Sequence, residues 1–169
     1  MVRPVAKAGE ISGLDAGMPA AMAAAAIVEA RAGEVAAYAD AVLDAGNIER
    51  VHDMRVATRR LRAALETFRV CFPKKAYKSL LGEVKGLADA LGERRDRDVM
   101  IAALEEFAGE LAAPDRPGVE SLVAALRREQ EQANQELAPY VTDERVATLR
   151  ERADGLAAAA RELIAPGAP

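Results

Sequence analysis

Residues 50–72 constrain this chain more than any other stretch. They read Arg50-Val-His-Asp-Met-Arg-Val-Ala-Thr-Arg-Arg-Leu-Arg-Ala-Ala-Leu-Glu-Thr-Phe-Arg-Val-Cys-Phe72, with six arginines and the only histidine of the protein. Wound as an α-helix at about 100° per residue, Met54, Ala57, Leu61, Ala64, Leu65, Phe68 and Phe72 fall within an arc of about 100°. That arc is wide enough to be a core-facing stripe. On the same wheel, taking His52 as zero, Arg55, Arg59 and Arg62 lie at about 300°, 340° and 280°, along the shoulder of the stripe and over roughly 15 Å of helix. A strand would scatter both sets over two faces, so the segment demands a helix with one side packed and one side basic.

The rest of the chain agrees with an all-α fold. No run alternates with period two, aromatic residues make up 4% of the sequence, and tryptophan is absent. A first helix is expected from Met18 to Leu43, weakened at Gly33, with Ile27, Val28, Val35, Tyr38 and Val42 as packing positions and Ala45-Gly46-Asn47 as the turn after it. A second spans Ile48 to Phe72 and stops at Pro73, which also opens a third helix over Lys74 to Leu111. The third has Leu80, Val84, Leu87, Leu91, Ile101, Leu104 and Phe107 as its stripe and an expected bend near Gly92. After the loop Ala112–Gly118 come a fourth helix, Val119 to Ala138, and a fifth, Asp143 to Ile164, with Thr142 as its N-cap. Helices of this length joined by short turns predict an antiparallel bundle of four to five long helices at residues 18–164. Residues 1–17 read as a flexible arm and residues 165–169 as a disordered tail.

Charge is segregated along the chain. Residues 50–100 hold thirteen Lys/Arg against seven Asp/Glu, a balance of +6, while the remainder holds ten against twenty, a balance of −10. A basic block in an acidic scaffold of net charge −4 points to an anion site on one face. Guanidinium groups match phosphate oxygens with planar donor forks, and one-turn spacing suits a linear chain of phosphates. Lys74, Lys78 and Lys85 share one side of the third helix, so the basic sides of two neighbouring helices are expected to face a common groove. Near Leu91-Gly-Glu-Arg-Arg-Asp-Arg-Asp-Val99, Arg95 falls close to the core stripe, and Asp96 or Asp98 would orient it or an arginine of the second helix. The competing reading is a set of structural ion pairs and solvated lysines.

Enzymatic chemistry finds no support in the residues. His52-Asp53 is a doublet without further histidines, no P-loop or metal-ligand cluster is present, and no cofactor is implied. Cys71 excludes an intramolecular disulfide and sits towards the apolar side of its helix. The apolar stretch Met18–Val28 is too short for a membrane helix and poorly placed for a signal peptide, so a soluble cytoplasmic protein is expected. Net negative charge and the lack of a helix-turn-helix argue against duplex DNA.

Val51-His-Asp-Met-Arg-Val-Ala-Thr-Arg-Arg-Leu-Arg-Ala-Ala-Leu65, followed by Leu91-Gly-Glu-Arg-Arg95-Asp96-Arg-Asp98-Val99, resembles the CHAD family, the conserved histidine α-helical domain. The resemblance covers about residues 18–164 and implies an all-helical domain that binds inorganic polyphosphate, often on polyphosphate granules. Motif match carries over His52, Arg55, Arg59, Arg60 and Arg62 as phosphate contacts, with Arg95 from the second motif. Lys74, Lys78 and Lys85 are added by the groove geometry alone. Family members usually pair two similar helical halves around a basic channel, and this chain resembles the first half. A homodimer that pairs two basic rows is one expectation from that departure. A helical module docking an acidic protein partner, or RNA binding, is the alternative to polyphosphate.

Overall fold

Five α-helices and no strand occur among residues 7–163, which the computed structural model describes. They are α1 (Ala20–Ala37), α2 (Ile48–Thr67), α3 (Lys74–Glu110), α4 (Arg116–Leu137) and α5 (Asp143–Glu162), with short 3₁₀ turns at Arg69–Cys71, Ala113–Asp115 and Ala138–Tyr140. The first six residues of the expected arm, the tail 165–169 and the expected end of the last helix at Ile164 lie outside the described residues.

α3 is the axis of the molecule. Its 37 residues extend for about 55 Å and run unbroken through Gly82, Gly86 and Gly92. The return path is broken in two by Pro139, which cannot donate a backbone hydrogen bond and would clash with the carbonyl four residues earlier. Cross-links order this return: Glu105 pairs with Arg127, Asp98 with Gln130, Gly86 abuts Tyr140, and Glu83 pairs with Arg152. α4 therefore runs antiparallel to the distal half of α3, and α5 antiparallel to its proximal half. α1 packs between α5 and α2, and α2 packs against α3, so α1, α2, α5 and the proximal half of α3 form a four-helix bundle.

The core of that bundle is one cluster that includes Val28, Val35, Met54, Leu61, Leu65, Leu80, Leu87, Leu137 and Leu156. Each aliphatic side chain of this size contributes about 1.5–3 kcal/mol by leaving water. A second, smaller cluster of Ile101, Val123 and Leu126 holds the distal α3–α4 hairpin together. Phe107, expected on the packing stripe, is 50% exposed, because beyond residue 100 α3 has only α4 beside it. Leu104 is half-buried for the same reason.

Helix ends differ from expectation where tertiary contacts override periodicity. α1 stops at Ala37 rather than Leu43. The chain turns at Tyr38, Ala41 takes a left-handed φ of 53°, and Val42 drops into the core, so Tyr38, Ala39 and Val42 pack from a loop. α2 ends at Thr67 and gives way to the 3₁₀ turn before Pro73, leaving Val70 exposed and Phe72 buried. α4 begins three residues earlier than expected, with Pro117 in its first turn. Thr142 caps α5 as expected, its hydroxyl accepting from the Arg145 N–H at 3.2 Å.

Candidate functional site

The basic row of α2 is exposed because the opposite side of the helix is fully used. Val51, Met54, Ala57, Thr58, Leu61, Ala64 and Leu65 are all buried, and the Thr58 hydroxyl donates back to the Met54 carbonyl at 2.8 Å. This leaves Arg59 exposed and His52, Arg55 and Arg62 half-buried, as amphipathic side chains on the flank of a packed stripe. Among the described residues, His52, Arg55 and Arg59 make no ion pair or side-chain hydrogen bond. Arg62 donates from Nε to Glu66 at 3.1 Å. Glu66 also lies 3.9 Å from Lys85 Nζ, across on α3. That contact places the row on the side of α2 facing α3, and Lys85 on the facing side of α3.

Lys74 and Lys78 share that side of α3 by helical phase, both exposed and without an ion pair among the described residues. Lys75 faces the other way and lines a crevice between α3 and α5 with Ser79 and Arg152. Arg60 is the outlier of the α2 motif. It lies about 80° round the helix from His52, is half-buried, and borders a shallow depression with Val56, Arg59 and Ala63. His52, Arg55, Arg59 and Arg62 thus share one flank of α2, Lys85 reaches Glu66 from α3, Lys74 and Lys78 share the phase of Lys85, and Arg60 borders Arg59 from the next face of α2.

Arg95, Asp96 and Asp98 are placed differently from expectation. Arg95 is half-buried and donates from Nη1 to the Ile48 carbonyl at 3.1 Å, with Glu49 at 3.7 Å, so it fixes the start of α2. Asp98 does not orient it. Its carboxylate takes Arg94 Nη1 at 2.8 Å and Gln130 Nε2 at 2.6 Å, and both Arg94 and Asp98 are buried, at 0% and 1% exposure. Asp96 is exposed and makes no hydrogen bond or ion pair among the described residues. Burial pushes the Asp98 carboxyl above its ordinary range, opposed by the Gln130 hydrogen bond and the Arg94 charge, and pushes the Arg94 guanidinium below its own.

The entry to α2 is held from both sides. Asn134 of α4 donates to the Leu43 carbonyl at 2.7 Å, pinning the loop before α2, while Arg95 holds the first turn. The row therefore stands on a helix whose start is tied to α3 and α4. Sequence reasoning missed this support, although a signal existed. Leu87, Leu91, Arg94, Asp98 and Ile101 keep one 4-3-4-3 spacing, and Gln130 shares the register of Val123, Leu126, Ala133 and Leu137. Polar residues in an apolar register announce a buried network.

No group of three or more His, Cys, Asp or Glu side chains among the described residues is arranged to hold a metal ion. No described helix is long and apolar enough to cross a membrane. Cys71 is half-buried against the core.

The chain is thus an all-α bundle with a basic flank on α2 beside a lysine-bearing α3. The chain is a member of the CHAD family: the family model, described as CHAD domain, matches residues 26–169. That domain is linked in general to polyphosphate binding. No match was found among curated proteins or among solved structures.

Proposed function

We propose that this protein binds inorganic polyphosphate without catalysis, through the groove between α2 and α3. One observation carries the reading. Arg31, Arg94, Arg97, Arg127, Arg150, Arg152 and Arg161 each pair with a carboxylate, whereas His52, Arg55 and Arg59 meet none among the described residues. Among the same residues Arg50, Arg69, Arg116, Arg128 and Arg145 also meet no carboxylate, so what sets His52, Arg55 and Arg59 apart is that they stand about one turn apart on a single flank of α2, an arrangement consistent with a row kept for an external anion. The linear layout favours a chain of phosphates over a compact anion. In the cell this activity would place the protein in the cytoplasm, on polyphosphate granules.

Replacing Arg55, Arg59 and Arg62 together with Ala is expected to abolish binding of long-chain polyphosphate while helical content persists. Wild-type affinity should fall linearly in a plot of log K against log salt, since each contact releases condensed counterions. Normal binding by the triple variant sinks the proposal. RNA added at equal phosphate concentration should compete weakly; equal competition would favour a general polyanion site instead.

A homodimer that brings two rows together remains part of the proposal. Light scattering with and without polyphosphate tests it, and a one-chain mass in both conditions rejects it.

A further inference from the structure

Within the groove, Glu66 is out of place by every local criterion. It sits in the last turn of α2, where the helix macrodipole disfavours an acid, and that turn holds no basic residue of its own. On the helical wheel it falls at about 320° from His52, inside the arc of the basic row itself. Its partners, Arg62 and Lys85, are two of the groove cations. All three side chains are 41–45% exposed, so the pairing is loose and contributes no more than about 1 kcal/mol to folding. The carboxylate does little for the helix or the bundle, yet it divides the groove. His52, Arg55 and Arg59 stand open, while Arg62 and Lys85 share an internal anion.

Resting on the polyphosphate reading, we propose that Glu66 is a latch that makes the groove selective for long chains. A tethered carboxylate is held beside Arg62 and Lys85 at high effective concentration, which a free small anion has to overcome. A short oligophosphate seated on His52, Arg55 and Arg59 stops before the latch. A longer chain anchored on those three groups delivers its next phosphates to Arg62 and Lys85 intramolecularly, displaces the carboxylate and continues towards Lys78 and Lys74. Glu66 thereby turns a row of similar cations into an open entrance and a conditional extension. No bond is made or broken; one anion exchanges for another on the same two cations.

The test compares wild type with Glu66→Gln and with Glu106→Gln by calorimetric titration of long-chain polyphosphate and of tripolyphosphate. Glu106 is an exposed acid of distal α3 without an ion pair among the described residues, so its replacement changes net charge equally but away from the row. Glu66→Gln removes an acid from a helix C-terminus and should fold at least as well as wild type, which its thermal midpoint checks. The expected result is about fivefold tighter binding of tripolyphosphate by Glu66→Gln, because Arg62 and Lys85 open to it, a smaller gain for the long chain that already displaces the carboxylate, and no gain for Glu106→Gln. Equal behaviour of the two variants, weaker binding by Glu66→Gln, or a gain for the long chain as large as or larger than that for tripolyphosphate overturns the latch. Absence of polyphosphate binding by wild type and by Glu66→Gln alike overturns the reading of the groove itself.

Discussion

Arg94 and Asp98 form a costly contact, a guanidinium and a carboxylate buried together in a register otherwise held by apolar residues. Such a pair seldom stabilises relative to apolar residues of the same volume, but removing one partner strands the other charge. Asp98→Ala is expected to cost about 3–5 kcal/mol in denaturant unfolding, whereas Arg94→Met combined with Asp98→Leu should fall near wild type or above it. A loss in the double variant as large as in the single one would mean that the network, and not the stranded charge, sets the cost. Gln130→Leu removes the third member and leaves one Asp98 oxygen without its 2.6 Å partner, for which about 1–3 kcal/mol is expected. At this scale the sequence was readable where periodicity alone decides. His52, Arg55, Arg59 and Arg62 come out on one flank because α2 is regular and its core stripe dense. Arg94 and Arg95 were less readable, because adjacent residues differ by about 100° and only the neighbour helix decides which is buried.

Helices here are joined by polar clasps at their edges, and the α1–α5 clasp has a pH signature. Glu29 and Arg161 form two parallel hydrogen bonds, Nη1 to Oε1 and Nη2 to Oε2, each 2.6 Å. The Arg161 hydrogen bond holds the Glu29 carboxyl below its ordinary value of 4.5, against the opposing effect of burial. The folded state thus binds this proton less tightly than the unfolded chain. The stabilisation is complete above about pH 4.5 and is lost as pH falls through the lower folded value. Thermal midpoints measured from pH 6 down to pH 3 should therefore decline less steeply in Glu29→Gln than in wild type. Parallel curves would assign the acid sensitivity elsewhere. Thr142→Ala, which deletes the one described side-chain cap of an α-helix N-terminus, is expected to cost about 1 kcal/mol in thermal or denaturant unfolding. The cap and the break at Pro139 have local causes, and the sequence shows them. The end of α1 has none. Residues 38–42 carry helix-compatible side chains, and only the need to bury Val42 and to reach α2 bends them into a loop.

Across the whole molecule, the buried Arg94–Asp98–Gln130 layer separates two cores of very different size. Proximal to it lies the main cluster from Ala21 to Ala160; distal to it, Ile101, Val123 and Leu126 hold a two-helix hairpin with Leu104 and Val119 at their edge. Local stability follows the number of buried apolar side chains, and a two-helix hairpin with three of them opens at lower free energy than the bundle that anchors it. Amides of distal α3 and the first half of α4, about residues 101–126, should exchange by a sub-global opening, whereas those of α1, α2 and α5 should exchange near the global unfolding free energy. Ile101→Ala should speed exchange in the hairpin selectively. Leu61→Ala, in the middle of the main core, should lower protection everywhere and cost about 2–5 kcal/mol. The basic row lies wholly on the proximal side, on a helix whose first turn is held by Arg95. Ile101→Ala should accordingly bind polyphosphate with wild-type affinity in the same titration that reads the groove variants. Loss of binding in that variant would show that the hairpin and the groove act as one unit and that the polar layer is not a boundary.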